Sequence, residues 1–239
     1  MINLTIKAVA VDIDGTITDL KRRLCISAME SLRKAEDLKI PVIIVTGNVV
    51  NYAYATSVLI GCSGGVVAEN GGVIFKEGQN NNEVIKLGDR EYINLADNYL
   101  RSNISSEYKL IHSNDNDYRL TEVVYYKTVP KSAIMEGIKG FEYLDKINIY
   151  DSGFAYHITN KNINKGSSLE KLCLHNNIKI KNVMAIGDSE NDEEFLEVAG
   201  LKIAVNNAED RLKEISDYIC ENKYGDGVKE AIDKFILNK

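Results

Sequence analysis

Both ends of the chain alternate short apolar runs with amphipathic stretches. The apolar runs are rich in Val, Ile and Ala, as in Ala8-Val9-Ala10-Val11. Such runs predict buried strands of a parallel sheet, and the stretches between them have the periodicity of helices. The predicted strands are 6–12, 41–46, 65–69, 182–187, 201–205 and 217–220, and the predicted helices are 26–38, 48–60, 166–176, 190–197, 208–215 and 226–237. Short connections and right-handed crossovers then favour an α/β fold with one doubly wound parallel sheet, helices lying on both of its faces.

The middle of the chain has a different pattern, in which helices alternate with pairs of strands. The predicted elements are helices 89–103 and 131–141 and strands 107–113, 120–128, 146–151 and 154–159. This order favours an antiparallel sheet covered on one face by two helices, an inserted α+β module. We therefore expect a core made of residues 1–82 and 157–239, with the module at 83–156. The polar tract Gln79-Asn80-Asn81-Asn82 fits either a hinge or a hairpin turn.

Size, charge and hydropathy narrow the class of protein. A chain of 239 residues exceeds the usual single domain, which agrees with two domains. The formal net charge is −6, from 29 basic and 35 acidic residues, so the basic excess that binds nucleic-acid phosphates is missing. No apolar run approaches the length of about 18 residues that suggests a membrane span, and no secretory signal is apparent. We expect a cytoplasmic protein that binds small molecules, and a homo-oligomer is compatible with the sequence.

Cysteines and histidines show no spacing typical of a metal site. The cysteines form no C-x-x-C pair and lie in apolar surroundings, which favours small core residues. The histidines are dispersed along the chain. Neither G-x-G-x-x-G nor G-x-x-x-x-G-K-[ST] occurs, so the sequence signals no dinucleotide and no P-loop nucleotide.

Two carboxylates follow the first predicted strand, in the stretch Asp12-Ile13-Asp14-Gly15-Thr16. Groups just past the carboxyl ends of parallel strands line the ligand crevice. If the chain stays extended there, both side chains point the same way and a divalent cation could join them. Gly15 permits a tight turn, and Thr16 adds a hydroxyl. An acidic turn after a strand is the alternative interpretation.

A second carboxylate pair, Asp188 and Asp192, follows the predicted strand 182–187. Asp192 lies on the same face as Asp188 if a helix opens near Ser189. Helix capping explains this pair equally well, since acids suit the first turn. However, carboxylates brought together from two strand ends repel one another unless a cation neutralises them. Mg²⁺, which prefers oxygen ligands, is the natural partner.

Two further signals lie between these pairs. Thr46-Gly47-Asn48 ends the predicted strand 41–46 and could hold a phosphate oxygen through a hydroxyl and two amides, although an ordinary strand-to-helix turn also fits. Lys165 opens the predicted helix 166–176, where the positive helix end disfavours a cation unless an anion is present. A solvated surface lysine is the alternative.

The order and spacing of these four motifs resemble the haloacid dehalogenase superfamily of phosphotransferases. The resemblance implies that Asp12 is the nucleophile and Asp14 the general acid and base. It implies that Thr46, Gly47, Asn48, Lys165 and Asn191 bind the substrate. It also implies that Asp12, Asp14, Asp188 and Asp192 hold Mg²⁺, Asp14 through its backbone carbonyl. A protein of this kind transfers the phosphoryl group of a small phosphomonoester to Asp12 and then to water.

The stretch Glu69-Asn70-Gly71-Gly72-Val73-Ile74 is similar to the branch of that superfamily that carries its cap between the second and third motifs. In that branch the inserted α+β module is a cap domain, and the Thr-Gly-Asn form resembles the archaeal-type phosphoglycolate phosphatases. The resemblance implies 2-phosphoglycolate as substrate, with a sugar-phosphate phosphatase as the alternative. A phosphomutase and a phospho-accepting signalling domain are further alternatives. Within the cap, Arg119 and Lys127 could contact a substrate carboxylate or could be solvated strand residues.

Overall fold

The computed structural model describes residues 5–76, 82–152 and 155–238. Of the tract predicted to form a hinge or a turn, residues 79–81 lie outside the described residues. No helix in the described ranges is both long enough and apolar enough to cross a membrane.

The larger of two sheets joins strands from both ends of the chain. Its strands are β1 (Ala8–Val11), β2 (Val42–Val45), β3 (Val66–Ala68), β4 (Val73–Lys76), β5 (Glu83–Lys86), β9 (Val183–Gly187), β10 (Leu201–Ala204) and β11 (Tyr218–Ile219). Within the described residues their order is β11-β10-β9-β1-β2-β3-β4-β5. Pairing is parallel from β11 to β3 and antiparallel from β3 to β5. The prediction of an α/β fold with a largely parallel sheet is confirmed.

Helices cover both faces of the parallel part of this sheet. They are α1 (Ile26–Asp37), α2 (Val50–Ile60), α5 (Lys165–His175), α6 (Glu193–Val198), α7 (Asp210–Ile215) and α8 (Tyr224–Ile232). Every residue of β1, β2 and β9 is buried. Because alternate strand residues face opposite sides of a sheet, complete burial requires cover on both sides. The hydrophobic core therefore lies on both faces of the central strands. The predicted site residues follow the carboxyl ends of these same strands.

Strands β4 and β5 form a hairpin at one edge of the large sheet, with Val73 opposite Lys86 and Lys76 opposite Glu83. These two strands are not among the predicted elements, although a hairpin turn is one of the two interpretations of the polar tract that lies between them. The domain boundaries at 82/83 and 156/157 stay a prediction. Strand pairing favours moving them, because β5 belongs to the large sheet and the last cap strand continues to Asn160.

The smaller sheet lies in the inserted module. Its strands are β6 (Val123–Tyr126), β7 (Ile147–Asp151) and β8 (Ala155–Asn160), in the antiparallel order β6-β8-β7, and its helices are α3 (Arg90–Asn103) and α4 (Lys131–Ile138). The helices and strands share one buried apolar cluster that includes Ile93, Leu100, Ile134, Ile138 and Ile158. The module thus has a core of its own, as an α+β layer requires.

The prediction of a regular strand at 107–113 is wrong. Only an isolated antiparallel bridge joins His112 to Tyr125. Other hydrogen bonds use the backbone groups at the start of this segment. The Tyr108 amide donates to the Ser105 carbonyl within a turn, and the Thr128 hydroxyl donates to the Lys109 carbonyl. Side-chain exposure alternates along residues 107–112, as in a strand, but the ladder of hydrogen bonds is not continuous in this segment.

Candidate functional site

The predicted site residues come together because three neighbouring parallel strands end at one edge of the sheet. β1 lies between β9 and β2, with Val11 opposite both Ile186 and Ile44. Asp12, Asp188 and Thr46 each follow one of these strands, so they emerge side by side. This is the edge at which α/β sheets bind ligands.

Three carboxylates form a compact cluster there. One oxygen each of Asp12, Asp188 and Asp192 lies within 4.8 Å of the others. Asp12 and Asp192 are buried, and Asp188 is half-buried. Gly15 makes room for this cluster: its φ is +83°, and a Cβ atom at that position would overlap the Asp188 carboxylate. Carboxylate oxygens gathered in this way are the ligands that a hard divalent cation prefers, so the cluster could hold a metal ion.

Lys165 lies behind the cluster as the first residue of α5. Its Nζ atom is 2.9 Å from Oδ1 of Asp12 and 2.5 Å from Oδ1 of Asp192, and its side chain is 1% exposed. Asn164 caps α5 by accepting a hydrogen bond from the Ser167 amide, which fixes where the helix begins. The two carboxylates are the anions that stabilise a cation at the positive helix end. The alternative of a solvated surface lysine is wrong.

Burial and mutual repulsion shift the acidities of this cluster. Burial raises the pKa of Asp12 well above its usual value, and Lys165 only partly opposes this. Burial and then the neighbouring Asp192 raise the pKa of Asp188 to about 8, while a hydrogen bond from the Thr16 hydroxyl acts in the other direction. The two carboxylates raise the pKa of Lys165 despite its burial. When no metal is bound, burial and mutual repulsion therefore make the charged forms of these carboxylates unfavourable. A bound cation would reduce both costs.

Asp192 differs from the other two acids because both of its oxygens already accept hydrogen bonds. Its Oδ2 accepts from the amides of Asp188 and Ser189, at 2.9 and 3.1 Å, and its Oδ1 accepts from Lys165. The amide contacts hold the loop that follows β9, and the contact with Lys165 orients the lysine toward Asp12. The geometry makes Asp192 a positioning residue, and its predicted role as a metal ligand stays a prediction.

The Asp14 side chain is directed away from the cluster. Its Oδ1 accepts from Nε of Arg22 at 2.8 Å, and its Oδ2 accepts from Nδ2 of Asn48 at 2.6 Å. Among the described residues, the carboxylates close enough to share an ion are Asp12, Asp188 and Asp192. This placement leaves the Asp14 carboxylate facing the cavity, where proton transfer to a leaving group requires it.

The predicted phosphate loop follows β2. The Thr46 hydroxyl is buried and accepts from the Asn48 amide and from Nδ2 of Asn48, at 3.2 and 3.1 Å. The Gly47 carbonyl accepts from Arg119 of the module, and a Cβ atom at Gly47 would lie 2.9 Å from Oδ1 of Asn70. Asn48 thus connects Thr46 to Asp14. Asn191 joins the same edge by donating to Oδ1 of Asn70 at 3.2 Å.

A cavity of about 390 Å³ lies between this edge and the inserted module. The core contributes Asp12, Asp14, Arg22, Thr46, Gly47, Asn48, Asp188, Ser189, Asn191, Asn207 and Glu209, and the module contributes Ser113, Asp115, Arg119, Val124, Tyr126, Ser152, Ala155 and His157. Sequence reasoning missed Arg22 and His157. Neither has a local pattern that indicates a site, because each reaches the cavity through a turn or a strand register set by distant contacts.

The module is joined to the core by buried ionic and amide contacts. Glu122 is fully buried and pairs with Arg119 and with Nδ1 of His157, and it accepts from Nδ2 of Asn70 at 3.0 Å. Although burial would raise the pKa of Glu122, Arg119 and then His157 hold it below its usual value. Glu122 therefore stays ionised, since Arg119, His157 and Asn70 stabilise its buried carboxylate.

The two cap cations considered from the sequence have different environments. Arg119 is buried, with its side chain 4% exposed, so the solvated alternative is wrong for this residue. Lys127 pairs with Asp151 at 2.9 Å and lies over the Tyr156 ring. Lys127 is absent from the described residues that line the cavity.

Comparison with known proteins gives a consistent picture. A family model described as haloacid dehalogenase-like hydrolase matches residues 9–94 and 79–232. A phosphoglycolate phosphatase of Methanobrevibacter smithii is 65% identical over 234 residues, which cover 98% of this chain and 100% of that protein. A phosphoglycolate phosphatase of Methanothermobacter thermautotrophicus is 46% identical over 230 residues, covering 96% and 99%. The crystal structure of Thermoplasma acidophilum 0175 superposes with a TM-score of 0.85 at 27% identity, covering 98% and 99%.

The chain belongs to the haloacid dehalogenase-like hydrolases. It is an enzyme of the phosphoric monoester hydrolase class. The family resemblance inferred from the four motifs is thereby confirmed.

Proposed function

We propose that this chain is a Mg²⁺-dependent phosphoglycolate phosphatase that forms an aspartyl-phosphate on Asp12. The observation that carries the proposal is the placement of Asp12 between a buried lysine and two further carboxylates, at the floor of a cavity roofed by the module. A nucleophilic carboxylate needs nearby positive charge before it can approach a phosphate dianion. Lys165 supplies part of that charge, and a cation held by the carboxylates would supply the rest.

The donor set fits a magnesium ion. Asp12 and Asp188 offer carboxylate oxygens that line the cavity. Burial and then repulsion from Asp192 raise the pKa of Asp188, and a divalent cation would offset both penalties. When bound, Mg²⁺ would offset the repulsion between Asp12 and the phosphate of the substrate. The backbone carbonyl of Asp14 is the further ligand implied by the family.

The chemistry is assigned to residues of this chain in two steps. A carboxylate oxygen of Asp12 forms a bond to phosphorus while the bond from phosphorus to the ester oxygen breaks, with Lys165 fixing Asp12 in line. Asp14 gives a proton to the departing alkoxide. Asp14 then takes a proton from the water that attacks the aspartyl-phosphate, which releases inorganic phosphate and regenerates Asp12.

The substrate is proposed from the cavity and the relatives together. A space of about 390 Å³ admits a small phosphomonoester, and the module excludes a bulky phosphoprotein from Asp12. Relatives named phosphoglycolate phosphatase match nearly the full chain. We take 2-phosphoglycolate as the first substrate and compact sugar phosphates as the alternative. The module limits the size of the substrate, and recognition beyond the phosphate is assigned to cavity residues outside the four motifs.

The test is a comparison of kcat/KM for 2-phosphoglycolate, glucose 6-phosphate and p-nitrophenyl phosphate, with Mg²⁺ and with EDTA. We expect 2-phosphoglycolate to be preferred, EDTA to abolish phosphate release, and Asp12→Asn to be inactive although folded by circular dichroism. A preference for glucose 6-phosphate would contradict the substrate, and near-normal turnover by Asp12→Asn would contradict the covalent mechanism.

A further inference from the structure

The cations that line the cavity are the groups able to recognise an anionic substrate beyond its phosphate. Among the described lining residues, Arg22 and Arg119 carry permanent positive charge. Lys165 lies behind Asp12, where two carboxylates hold it. Recognition of a substrate carboxylate therefore depends on which of the two guanidinium groups has N–H donors that are not already committed to other carboxylates.

Arg119 is already fully engaged by the protein. Its Nε and Nη2 donate to the Asp115 carboxylate, at 3.3 and 2.7 Å. Its Nη1 donates to Glu122 and, at 2.9 Å, to the Gly47 carbonyl. Two carboxylates thus share one guanidinium that is nearly fully buried. A third carboxylate at this place would meet net negative charge, so Arg119 serves to dock the module onto the phosphate loop.

Arg22 has a different balance of charge. Its carboxylate partner is Asp14, with Nε to Oδ1 at 2.8 Å and Nη2 to Oδ2 at 3.3 Å. Nη2 also donates to Oδ1 of Asn48 at 3.2 Å, and the side chain is 57% exposed. The guanidinium lies 5.9 Å from the centroid of the Tyr52 ring, which supports its orientation. An exposed planar guanidinium whose single carboxylate partner is the half-buried Asp14 can exchange that partner for another carboxylate.

The turn that carries Arg22 is built to hold this side chain over the cavity. The Asp19 carboxylate accepts from the amides of Lys21 and Arg23, and the Arg22 amide donates to the Asp19 carbonyl. Arg22 itself has a φ of +58°, a left-handed conformation that is unusual for a residue other than glycine. A backbone held in that region by its neighbours is a feature of sites where a side chain must point in one direction.

We propose that Arg22 binds the carboxylate of the substrate by exchanging it for the carboxylate of Asp14. This inference rests on the proposed function, because it takes Asp14 as the group that protonates the leaving oxygen. In 2-phosphoglycolate the carboxyl carbon is bonded to the carbon that bears that oxygen. A guanidinium in contact with Asp14 is therefore adjacent to the substrate carboxylate. The exchange frees Asp14 to turn toward the leaving oxygen, so binding of an anionic substrate prepares the acid.

The test compares two esters of similar size, 2-phosphoglycolate and ethyl phosphate, which lacks the carboxylate. We expect Arg22→Gln to lower kcat/KM for 2-phosphoglycolate by about tenfold to hundredfold more than for ethyl phosphate, the range for loss of a charge-assisted hydrogen bond. The loss should be mainly in KM, and Arg22→Lys should restore part of it. Arg23→Gln is the matched control, because Arg23 lies on the same turn and pairs with Asp19 instead.

Ethyl phosphate hydrolysis also shows that each variant is folded. Equal losses for both esters in Arg22→Gln, or the same selective loss in Arg23→Gln, would overturn the role of Arg22. The wild-type rates alone decide the proposed substrate: no wild-type preference for 2-phosphoglycolate would contradict that substrate, and the role of Arg22 with it. A wild-type preference that Arg22→Gln retains would contradict the role of Arg22 alone.

Discussion

The Nζ atom of Lys165 lies 2.9 Å from Oδ1 of Asp12, in a position that leaves 1% of the lysine side chain exposed. The contact joins residues 153 positions apart in the sequence. It orients the proposed nucleophile and supplies positive charge beside it. Oδ1 of Asp192 lies 2.5 Å from the same Nζ atom, so two buried carboxylates share one cation.

Replacement of Lys165 should therefore reduce both activity and stability. In Lys165→Met, Asp12 and Asp192 lose their shared cation, and breaking a buried pair costs about 3–5 kcal/mol. We expect a fall of that size in the free energy of unfolding, measured by urea denaturation in EDTA. Turnover should drop by about a hundredfold or more. Lys171→Met is the control, since Lys171 is exposed on the same helix; equal effects in the two variants would refute the argument.

Replacement of Asp188 should weaken Mg²⁺ binding but increase the stability of the metal-free protein. Burial and Asp192 raise the pKa of Asp188 to about 8, which shows that its charge is disfavoured when no metal is bound. Asp188→Asn should raise the Mg²⁺ concentration needed for half-maximal rate and should increase the melting temperature in EDTA. Asp210→Asn, at a fully exposed position, should change neither. An unchanged Mg²⁺ requirement in Asp188→Asn would exclude this residue as a ligand.

The buried contact between the module and the core should give a defined pH dependence. Burial acts to raise the pKa of Glu122, but Arg119, His157 and Asn70 together outweigh it, so the folded pKa lies below its ordinary value. Its contribution to stability is thus present above the ordinary glutamate pKa of about 4.3 and is lost as the pH falls through the folded value. Glu122→Gln should cost about 1–3 kcal/mol at pH 7.

The difference in unfolding free energy between the wild type and Glu122→Gln should shrink below that pH. Denaturation curves measured from pH 3 to pH 7 would show it, with exposed Glu136 as the control position for the same substitution. A difference that is independent of pH would mean that the charge of Glu122 contributes nothing.

Much of the core could be predicted from the sequence because its signals are local. Asp12, Thr46 and Asp188 each follow an apolar strand, and parallel strands bring such positions to one edge. Lys165 was marked by an unfavourable position at a helix start. Periodicity, the rule for strand ends and the helix start marked these positions as candidates, and the family resemblance of the four motifs implied their roles. The catalytic and metal-binding roles stay predictions that the variants above test.

The rest depended on contacts between distant residues. β6 starts at Val123 and not at 120, because the amides of Leu120 and Thr121 donate to the Glu69 carboxylate instead of a neighbouring strand. Arg22 reaches Asp14 from a turn in which its own backbone is left-handed. No periodicity in the sequence indicates either contact, since each is set by the tertiary structure.

The central claim is that Asp12 carries the phosphoryl group during turnover. The most direct measurement mixes enzyme, Mg²⁺ and labelled 2-phosphoglycolate, quenches with acid within one turnover, and locates the label by peptide mass spectrometry. Asp14→Asn should slow both the formation and the hydrolysis of the aspartyl-phosphate, because Asp14 is the proposed acid of the first step and the proposed base of the second. The account predicts a phosphoryl group on Asp12 and none in Asp12→Asn. Release of phosphate by the wild type with no label on Asp12 at any time, or turnover by Asp12→Asn, would contradict it.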